Sequence, residues 1–269
     1  MVKVREFIEQ FEKFAPLSLK MDGDPTGFQI GNKEAEIHKM MTTLDVRPEV
    51  VQEAIDNHVD FIFAHHPVMF RPAKNLDLSN PQNQMYANIL KNDITVYAAH
   101  TNLDIANGGM NDWLAKALNL TNVTGLVKHD DDINGEAHYL GRVGEPQHPQ
   151  TISDVVTLCK EAFNISGLRV STFDLNQPVT KIAILGGSGS KFYSEALKLG
   201  ANVFITGDLY YHSAQDMMAE GLNIIDPGHH IESICKEKLL DLFSQWNQNQ
   251  NWNIDIMASQ LSTDPFIFK

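Results

Sequence analysis

Short apolar runs alternate with amphipathic segments along this chain, and the alternation restricts its fold more than any other feature. Residues 40–45 and 60–64 read as buried strands, and residues 48–58 read as a helix with proline in its first turn. This order predicts a βαβ unit with parallel strands. The pattern restarts after residue 137 with strands at 138–143, 168–172, 182–185, 203–206 and 223–226 and helices at 152–163 and 191–199. The predicted fold class is α/β.

A change in composition divides the chain into two predicted domains. Residues 121–135 are rich in turn formers and acids, and we interpret Asp130, Asp131 and Asp132 as part of a solvated loop. A helix predicted at 231–243 would return the chain to the first domain. We therefore expect one α/β domain from residues 1–125 plus 223–269, and a smaller α/β domain from residues 126–222.

Composition excludes several classes of protein. The formal net charge of -13 disfavours binding to the phosphate backbone of nucleic acids, and we expect no nucleic-acid partner. No apolar run approaches the ~18 residues that a membrane span needs, so no membrane association is expected. Cys159 and Cys235 are too few and too far apart for a disulfide framework, and we interpret both as buried thiols. A cytoplasmic location is the expectation.

Residue types that bind metal ions follow three of the predicted strands, at residues 60–64, 94–99 and 223–226. Parallel strands place functional groups at their carboxyl ends, where sites in α/β proteins are built. Pro67 imposes a turn that lets two adjacent histidines aim into one cavity. His229 and Glu232 are three residues apart, which puts both on one side of a helical turn. The residues at the strand ends are His65 and His66, then His100 and Asp104, then His229 and Glu232.

Mixed imidazole and carboxylate ligands suit zinc, manganese, iron or nickel. Five ligands exceed the need of one tetrahedral ion, and a carboxylate can bridge two ions ~3.5–4 Å apart. We therefore predict a centre of two divalent metal ions, with Glu232 as the bridge. No residue is assigned as a catalytic acid or base; His100 and His212 are candidates for supporting roles, and a structural role is the alternative for His212. The predicted ligands are His65, His66, Asp104, His229 and Glu232.

A glycine-rich segment lies between a predicted strand and a predicted helix. Residues 186–190 read Gly-Gly-Ser-Gly-Ser, which can present backbone N–H groups to an anion such as phosphate. The segment lacks the lysine of a P-loop and the full dinucleotide-binding pattern. A phosphate contact and a tight turn that needs glycine are the two interpretations.

Several motifs, in order, resemble those of the GTP cyclohydrolase 1 type 2 homologues, also called the Nif-three-like family. The resemblance spans nearly the whole chain. It implies two related α/β domains with a metal site in the cleft between them, and it implies two divalent metals at the five ligand positions already given. The motifs are Asp24-Pro25-Thr26-Gly27-Phe28-Gln29-Ile30-Gly31, Ala64-His65-His66-Pro67, His100-Thr101-Asn102-Leu103-Asp104, Thr206-Gly207-Asp208-Leu209-Tyr210-Tyr211-His212 and Asp226-Pro227-Gly228-His229-His230-Ile231-Glu232.

The resemblance also implies a toroidal homohexamer. Some relatives carry an inserted middle domain, and at 269 residues this chain is similar to the short form without it. In other members the final glutamate stands four residues after the histidine, whereas here Glu232 stands three residues after His229. A subset of the family shares this spacing, so the ligand assignment is kept.

Three functions remain open at this point. The first is a metal-dependent hydrolase acting on a nucleotide or phosphate compound, with GTP ring opening implied by the family name. The second is a non-catalytic metal-binding or metal-delivery scaffold, and the third is a ring-shaped regulatory protein that contacts other proteins. A small-molecule substrate is expected under the first alone, and an open coordination position separates the first from the second.

Overall fold

The computed structural model describes residues 2–129 and 135–269, so the predicted acidic loop at 130–132 lies outside the described residues. The α-helices are α1 (Val4–Phe14), α2 (Pro48–Asp56), α3 (Pro81–Lys91), α4 (Thr101–Ile105), α5 (Met110–Ala117), α6 (Ile152–Phe163), α7 (Tyr193–Lys198), α8 (Tyr211–Ala219) and α9 (Cys235–Gln250). The strands are β1 (Val2–Lys3), β2 (Gly27–Ile30), β3 (Glu36–Ile37), β4 (Lys39–Thr43), β5 (Phe61–Ala64), β6 (Thr95–Ala98), β7 (Leu120–Lys128), β8 (Tyr139–Pro146), β9 (Gln150–Thr151), β10 (Arg169–Ser171), β11 (Pro178–Val179), β12 (Ile182–Ile184), β13 (Val203–Ile205), β14 (Asn223–Asp226) and β15 (Asp255–Ala258).

The chain forms two compact units. Unit 1 is Met1–Leu103 with Cys235–Thr263, and unit 2 is Asp104–Ile234 with Asp264–Lys269. These bounds differ from the predicted domains, 1–125 plus 223–269 and 126–222. The reason is strand pairing: β7 pairs with β8, and β14 pairs with β13, all within the sheet of unit 2. Residues on both sides of the predicted boundaries therefore belong to one sheet.

Unit 1 is built on a sheet in the order β15-β4-β5-β6-β2, in which β15, β4, β5 and β6 run parallel. Side chains of β5 alternate between its two faces, as the period of a strand requires. Phe63 packs against Phe11 of α1 and Phe243 of α9, with ring centroids 4.7 and 4.8 Å away. Ile62 belongs to the apolar cluster that contains Val50 of α2. Helices thus cover both faces of the sheet, which is the α/β arrangement that the sequence predicts.

The register of this sheet brings three strand ends to one level. Thr43 of β4 lies beside Ala64 of β5, and Ala64 lies beside Ala98 of β6. The residues that follow these strands therefore emerge at a common edge. His65 continues the ladder, since its N–H donates to the carbonyl of Thr43 at 3.1 Å.

Unit 2 has a sheet in the order β10-β14-β13-β12-β8-β7, and β14, β13 and β12 run parallel. Their carboxyl ends also meet at one edge, because Ile184, Ile205 and Ile225 share one level. The glycine-rich segment follows β12, Asp208 follows β13, and His229 follows β14. Both units therefore present polar residues where parallel strands end.

Two segments differ from their predicted structure. Residues 120–128 form β7, whereas the sequence predicted turns from residue 121, because pairing with β8 outweighs the local turn preference of Thr121 and Asn122. The helix predicted at 231–243 is a 3₁₀ turn, His229–Ile234, followed by α9. Among the described residues, no helix combines the length and the apolar character needed to cross a membrane.

Both cysteines are buried and reduced, as the sequence predicted. Burial raises the pKa of the Cys159 thiol to about 12, so this side chain stays protonated at pH 8. Because the thiolate is the reactive form, we expect Ellman's reagent to label neither cysteine in the native protein within minutes. Both should react after unfolding in guanidinium chloride. Rapid labelling of either thiol under native conditions would contradict the burial described here.

Candidate metal centre

Unit 1 gathers three histidines at the carboxyl edge of its sheet. His65 and His66 follow β5, and His100 follows β6. Each offers one ring nitrogen to a cation, and these atoms lie within 4.8 Å of one another. The ring centroids of His65 and His66 are 4.9 Å apart, and that of His100 lies 5.4 and 5.6 Å from theirs. Adjacent histidines that would point apart in an extended strand therefore share one region.

Hydrogen bonds at Nδ1 orient the two adjacent imidazoles. Nδ1 of His65 lies 2.7 Å from the carbonyl oxygen of Ala99, and Nδ1 of His66 lies 2.7 Å from Oδ1 of Asp45. Both partners are acceptors, so Nδ1 carries the proton and Nε2 of the neutral ring carries the lone pair. Proteins orient metal-binding histidines in this way, with the second ring nitrogen held by a carbonyl or carboxylate.

His100 is held in the same manner by Asp24, at 2.9 Å between Nδ1 and Oδ1. Asp24 also accepts hydrogen bonds from the hydroxyl groups of Thr26 and Thr101. Burial raises the pKa of Asp24, but these hydrogen bonds and the nearby imidazole outweigh burial, and the net pKa lies well below its usual range. The carboxylate therefore stays ionised and keeps His100 in the tautomer that directs a lone pair away from Asp24.

Unit 2 contains a second set of candidate ligand side chains. A 3₁₀ helix has three residues per turn, so side chains three apart eclipse each other. His229 and Glu232 lie in the 3₁₀ helix His229–Ile234, and Nε2 of His229 lies 3.1 Å from Oε2 of Glu232. A carboxylate oxygen of Asp104 lies within 4.8 Å of one of Glu232. The buried carboxylate of Glu232 therefore lies close to both His229 and Asp104. The spacing of three residues between His229 and Glu232 matches the period of a 3₁₀ helix.

The imidazole of His229 is also oriented by a hydrogen bond at Nδ1. Its Nδ1 lies 2.8 Å from Oδ2 of Asp208, which follows β13. Nε2, with its lone pair, then faces the carboxylate of Glu232. Two acceptor atoms 3.1 Å apart repel each other unless a proton or a cation lies between them. The imidazole nitrogen of His229 and the carboxylate oxygen of Glu232 are therefore suited to bind a cation.

The glycine-rich segment, residues 186–190, leaves space for the carboxylate of Glu232. A Cβ at Gly186 would lie 2.7 Å from Oε1 of Glu232, and one at Gly187 would lie 3.0 Å from the same atom. The N–H of Gly186 donates to Asn111 at 3.0 Å, and that of Gly189 donates to Thr206 at 2.8 Å. These two N–H groups are therefore engaged within the protein, and close approach explains the glycines better than phosphate binding does.

The structure places the predicted site residues in two sets. His65 and His66 lie together in unit 1, where His100 joins them, and Asp104, His229 and Glu232 lie together in unit 2. Their role as metal ligands stays a prediction. His212 lies exposed on α8 with Nδ1 3.2 Å from Gln215 Oε1, and within the described residues it belongs to none of the candidate ligand clusters.

Sequence reasoning missed the groups that orient the histidines. Asp24, Asp45 and Asp208 hold His100, His66 and His229. Asp45 and Asp208 follow strands β4 and β13, so their position at strand ends was the signal available in the sequence. Asn111 of α5 was also missed; it donates to the carbonyl of Asp104 at 2.9 Å.

The Asp208→Asn variant tests the orientation of His229. The φ angle of Asp208 is 55°, a conformation that asparagine tolerates better than alanine, and asparagine keeps an acceptor oxygen. Loss of the negative charge should weaken zinc binding by about tenfold. This is the low end of the loss in metal affinity that is expected when a hydrogen-bond partner of a metal ligand is replaced. Competition with a chromophoric chelator measures the affinity. Asp216→Asn, on exposed α8, is the matched control; equal affinities for both variants would contradict the role of Asp208.

The fold and these clusters define an α/β protein with candidate metal-ion ligands at the strand ends of both units. The chain belongs to the Duf34/NIF3 (NGG1p interacting factor 3) family, whose model matches residues 2–265. It is 45% identical to the GTP cyclohydrolase 1 type 2 homolog of Streptococcus pneumoniae over 264 residues, 97% of each chain. The homolog of Lactococcus lactis is 38% identical over 98% of this chain and 99% of its own.

A solved structure also shows the fold. The crystal structure of the Bacillus cereus protein related to NIF3 matches with a TM-score of 0.92 and 29% identity, covering 100% of this chain and 99% of that chain. These similarities confirm the predicted family and the α/β fold. The alignment with the homolog of Listeria innocua extends over 366 residues while covering 98% of each chain, so that relative carries an insertion. This chain is the short form.

Proposed function

We propose that this chain binds two divalent metal ions and uses them to hydrolyse a nucleotide or a related phosphate compound. The proposed ligands are His65, His66, Asp104, His229 and Glu232. The observation that carries the proposal is the shared orientation of the three histidines among them. Each has Nδ1 within 2.8 Å of a carbonyl or carboxylate oxygen, so each has its lone pair on Nε2.

The carboxylates support a second ion. Within unit 2, the carboxylate of Glu232 has both His229 and Asp104 as neighbours. A carboxylate in that position suits a bridge between two cations ~3.5–4 Å apart. Asp104 and Glu232 are both buried, and burial of two carboxylates near each other is costly unless positive charge compensates them.

Two divalent cations would supply Lewis-acid activation of a water molecule and of the substrate. The chain's own residues would hold and orient the reactants. His100, fixed through Asp24, sits beside His65 and His66 and directs Nε2 into the same region, where it would accept a hydrogen bond from a substrate or a water. We extend to this chain the homohexameric ring that the resemblance implies, together with a choice among zinc, manganese, iron and nickel.

Metal content and hydrolysis, measured on the same sample, test this function. Mass spectrometry of the purified protein should find two divalent ions per chain. GTP and a panel of phosphoesters should include at least one compound that the metal-loaded protein hydrolyses, and a chelator should abolish turnover until metal is restored. Activity that survives complete metal removal would contradict the proposal. Full metal occupancy with no turnover across the panel would favour the metal-delivery alternative.

A further inference from the structure

A cavity in unit 2 is lined by one proposed metal ligand, His229, and otherwise by residues that are not proposed as ligands. Its volume is about 340 Å³. Pockets for small molecules start at roughly 300 Å³, so the cavity has room for a ligand of modest size. Its wall combines one arginine, several carboxylates and an aromatic tail. The main lining residues are Arg169, Asp208, Asp226, His229, Phe266 and Phe268.

Arg169 gives this cavity a fixed cationic group. Its side chain on β10 is 63% exposed, and Nη2 forms an ion pair with Asp226 of β14. Asp226 is itself almost fully buried and accepts the N–H groups of Leu209 at 3.2 Å and Gly228 at 2.9 Å. Among the described residues we find no partner for Nε or Nη1 of Arg169. One edge of the guanidinium is therefore anchored, and the rest can bind an anion.

The aromatic wall comes from the C-terminal residues 264–269, which belong to unit 2. Phe268 lies over Gly167, where a Cβ would stand 2.5 Å from its ring, so the glycine permits this packing. Phe266 is 71% exposed and Phe268 is 49% exposed. The N–H of Phe266 donates to Oδ1 of Asp264 at 2.9 Å, which sets the turn before the tail. Exposed aromatic faces beside a cavity are suited to stacking with a planar ring.

The other carboxylates of the cavity are already engaged. Asp226 forms an ion pair with one edge of Arg169, Asp208 holds Nδ1 of His229, and Asp264 accepts the N–H of Phe266. Arg169 is therefore the group whose remaining hydrogen-bond donors suit an anion. Since His229 also lines the cavity, a ligand bound there would lie beside one of the proposed metal ligands.

We propose that this cavity binds a mononucleotide, with the phosphate on Arg169 and the planar base against Phe266 and Phe268. Binding of a mononucleotide in this cavity is independent of the proposed function. Its identification as part of the substrate rests on the proposed function. The proposal makes Arg169 a specificity-determining residue for the anionic group. It also gives the C-terminal tail a role in holding the base.

Calorimetric titration of the metal-free full chain with GMP tests the proposal, with guanosine and inorganic phosphate as partial ligands. GMP should bind more tightly than either. Arg169→Gln should weaken GMP binding about tenfold or more and leave guanosine binding unchanged, because it removes hydrogen bonds from a charged donor. Phe266→Ala should weaken GMP and guanosine alike by about fivefold or more, as expected for a lost stacking contact. Lys160→Gln, at an exposed lysine of unit 2, is the matched control.

Several results would overturn the proposal. They are an absence of GMP binding by the unaltered protein at millimolar concentration, or GMP affinities in the Arg169 and Phe266 variants equal to that of the control. Arg169→Lys, which retains the charge, serves if Arg169→Gln does not fold by circular dichroism, and it should bind GMP with intermediate affinity. Zinc content, measured in parallel, separates the two proposals: GMP binding without zinc binding would refute the metal centre and leave this cavity intact.

Discussion

Replacing Glu232 with glutamine is expected to remove tight metal binding from the protein. Glutamine keeps the size of the side chain but loses the charge and the second strong ligand oxygen, so it bridges two cations poorly. Loss of a residue that merely orients a ligand costs ~10–100-fold in metal affinity, and loss of the bridge should cost more than 100-fold. Zinc titration against a chromophoric chelator measures the affinity, and hydrolysis, once a substrate is found, should fall in parallel.

Glu237→Gln provides the matched control for this variant. Glu237 is exposed in the first turn of α9, five residues further along the chain, and the same chemical change there should leave zinc affinity unaltered. Thermal unfolding of the metal-free proteins shows whether either variant is misfolded. If the Glu232 variant folds and still binds two zinc ions as tightly as the control, Glu232 does not bridge them.

Phe7→Ala is expected to produce the largest loss of stability. Phe7 of α1 is fully buried, and its ring centroid lies 5.6 Å from that of Phe61, 4.9 Å from that of Phe243 and 5.5 Å from that of Trp252. Truncation of such a ring removes its buried apolar surface and leaves a cavity, which together cost about 3–5 kcal/mol. Urea unfolding monitored by tryptophan fluorescence measures the free energy of unfolding.

Phe173→Ala is the control for the loss of a phenylalanine as such. Phe173 is 84% exposed, so its truncation should change the free energy of unfolding by no more than about 0.5 kcal/mol. A change below about 1 kcal/mol for Phe7→Ala would mean that the aromatic layer between α1, α9 and the sheet does not stabilise unit 1.

Much of the fold follows from periodic patterns in the sequence. Val4, Phe7, Ile8 and Phe11 recur at helical spacing and are all buried on α1, which ends at Phe14, before Pro16. The βαβ unit β4-α2-β5 also forms with parallel strands. Such segments carry their own signal, because one face or one strand is continuously apolar.

The missed elements lack such a signal. Strand β7 lies at the edge of its sheet, and most of its side chains are exposed or half-buried, so no apolar alternation marks it. Helix α8 has a single buried residue, Met217, so no buried apolar face marks it in the sequence. These elements are specified by long-range pairing and packing, which local patterns do not contain.

The candidate ligands were predictable because they follow strands, whereas their supporting contacts were not. Asp24 reaches His100 across 76 positions, and Asp45 reaches His66 across 21, distances in sequence over which no local pattern connects two residues. The glycine-rich segment illustrates the same limit. Its composition is compatible with anion binding, and its use in making room for Glu232 is visible only after folding.

Anomalous X-ray diffraction at the zinc absorption edge, from crystals of the zinc-loaded protein, is the most direct test of the central proposal. We expect two peaks per chain, ~3.5–4 Å apart, with Nε2 of His65, His66 and His229 and the carboxylates of Asp104 and Glu232 as their protein ligands. Peaks confined to other residues, or no peak at these five side chains under saturating zinc, would contradict it.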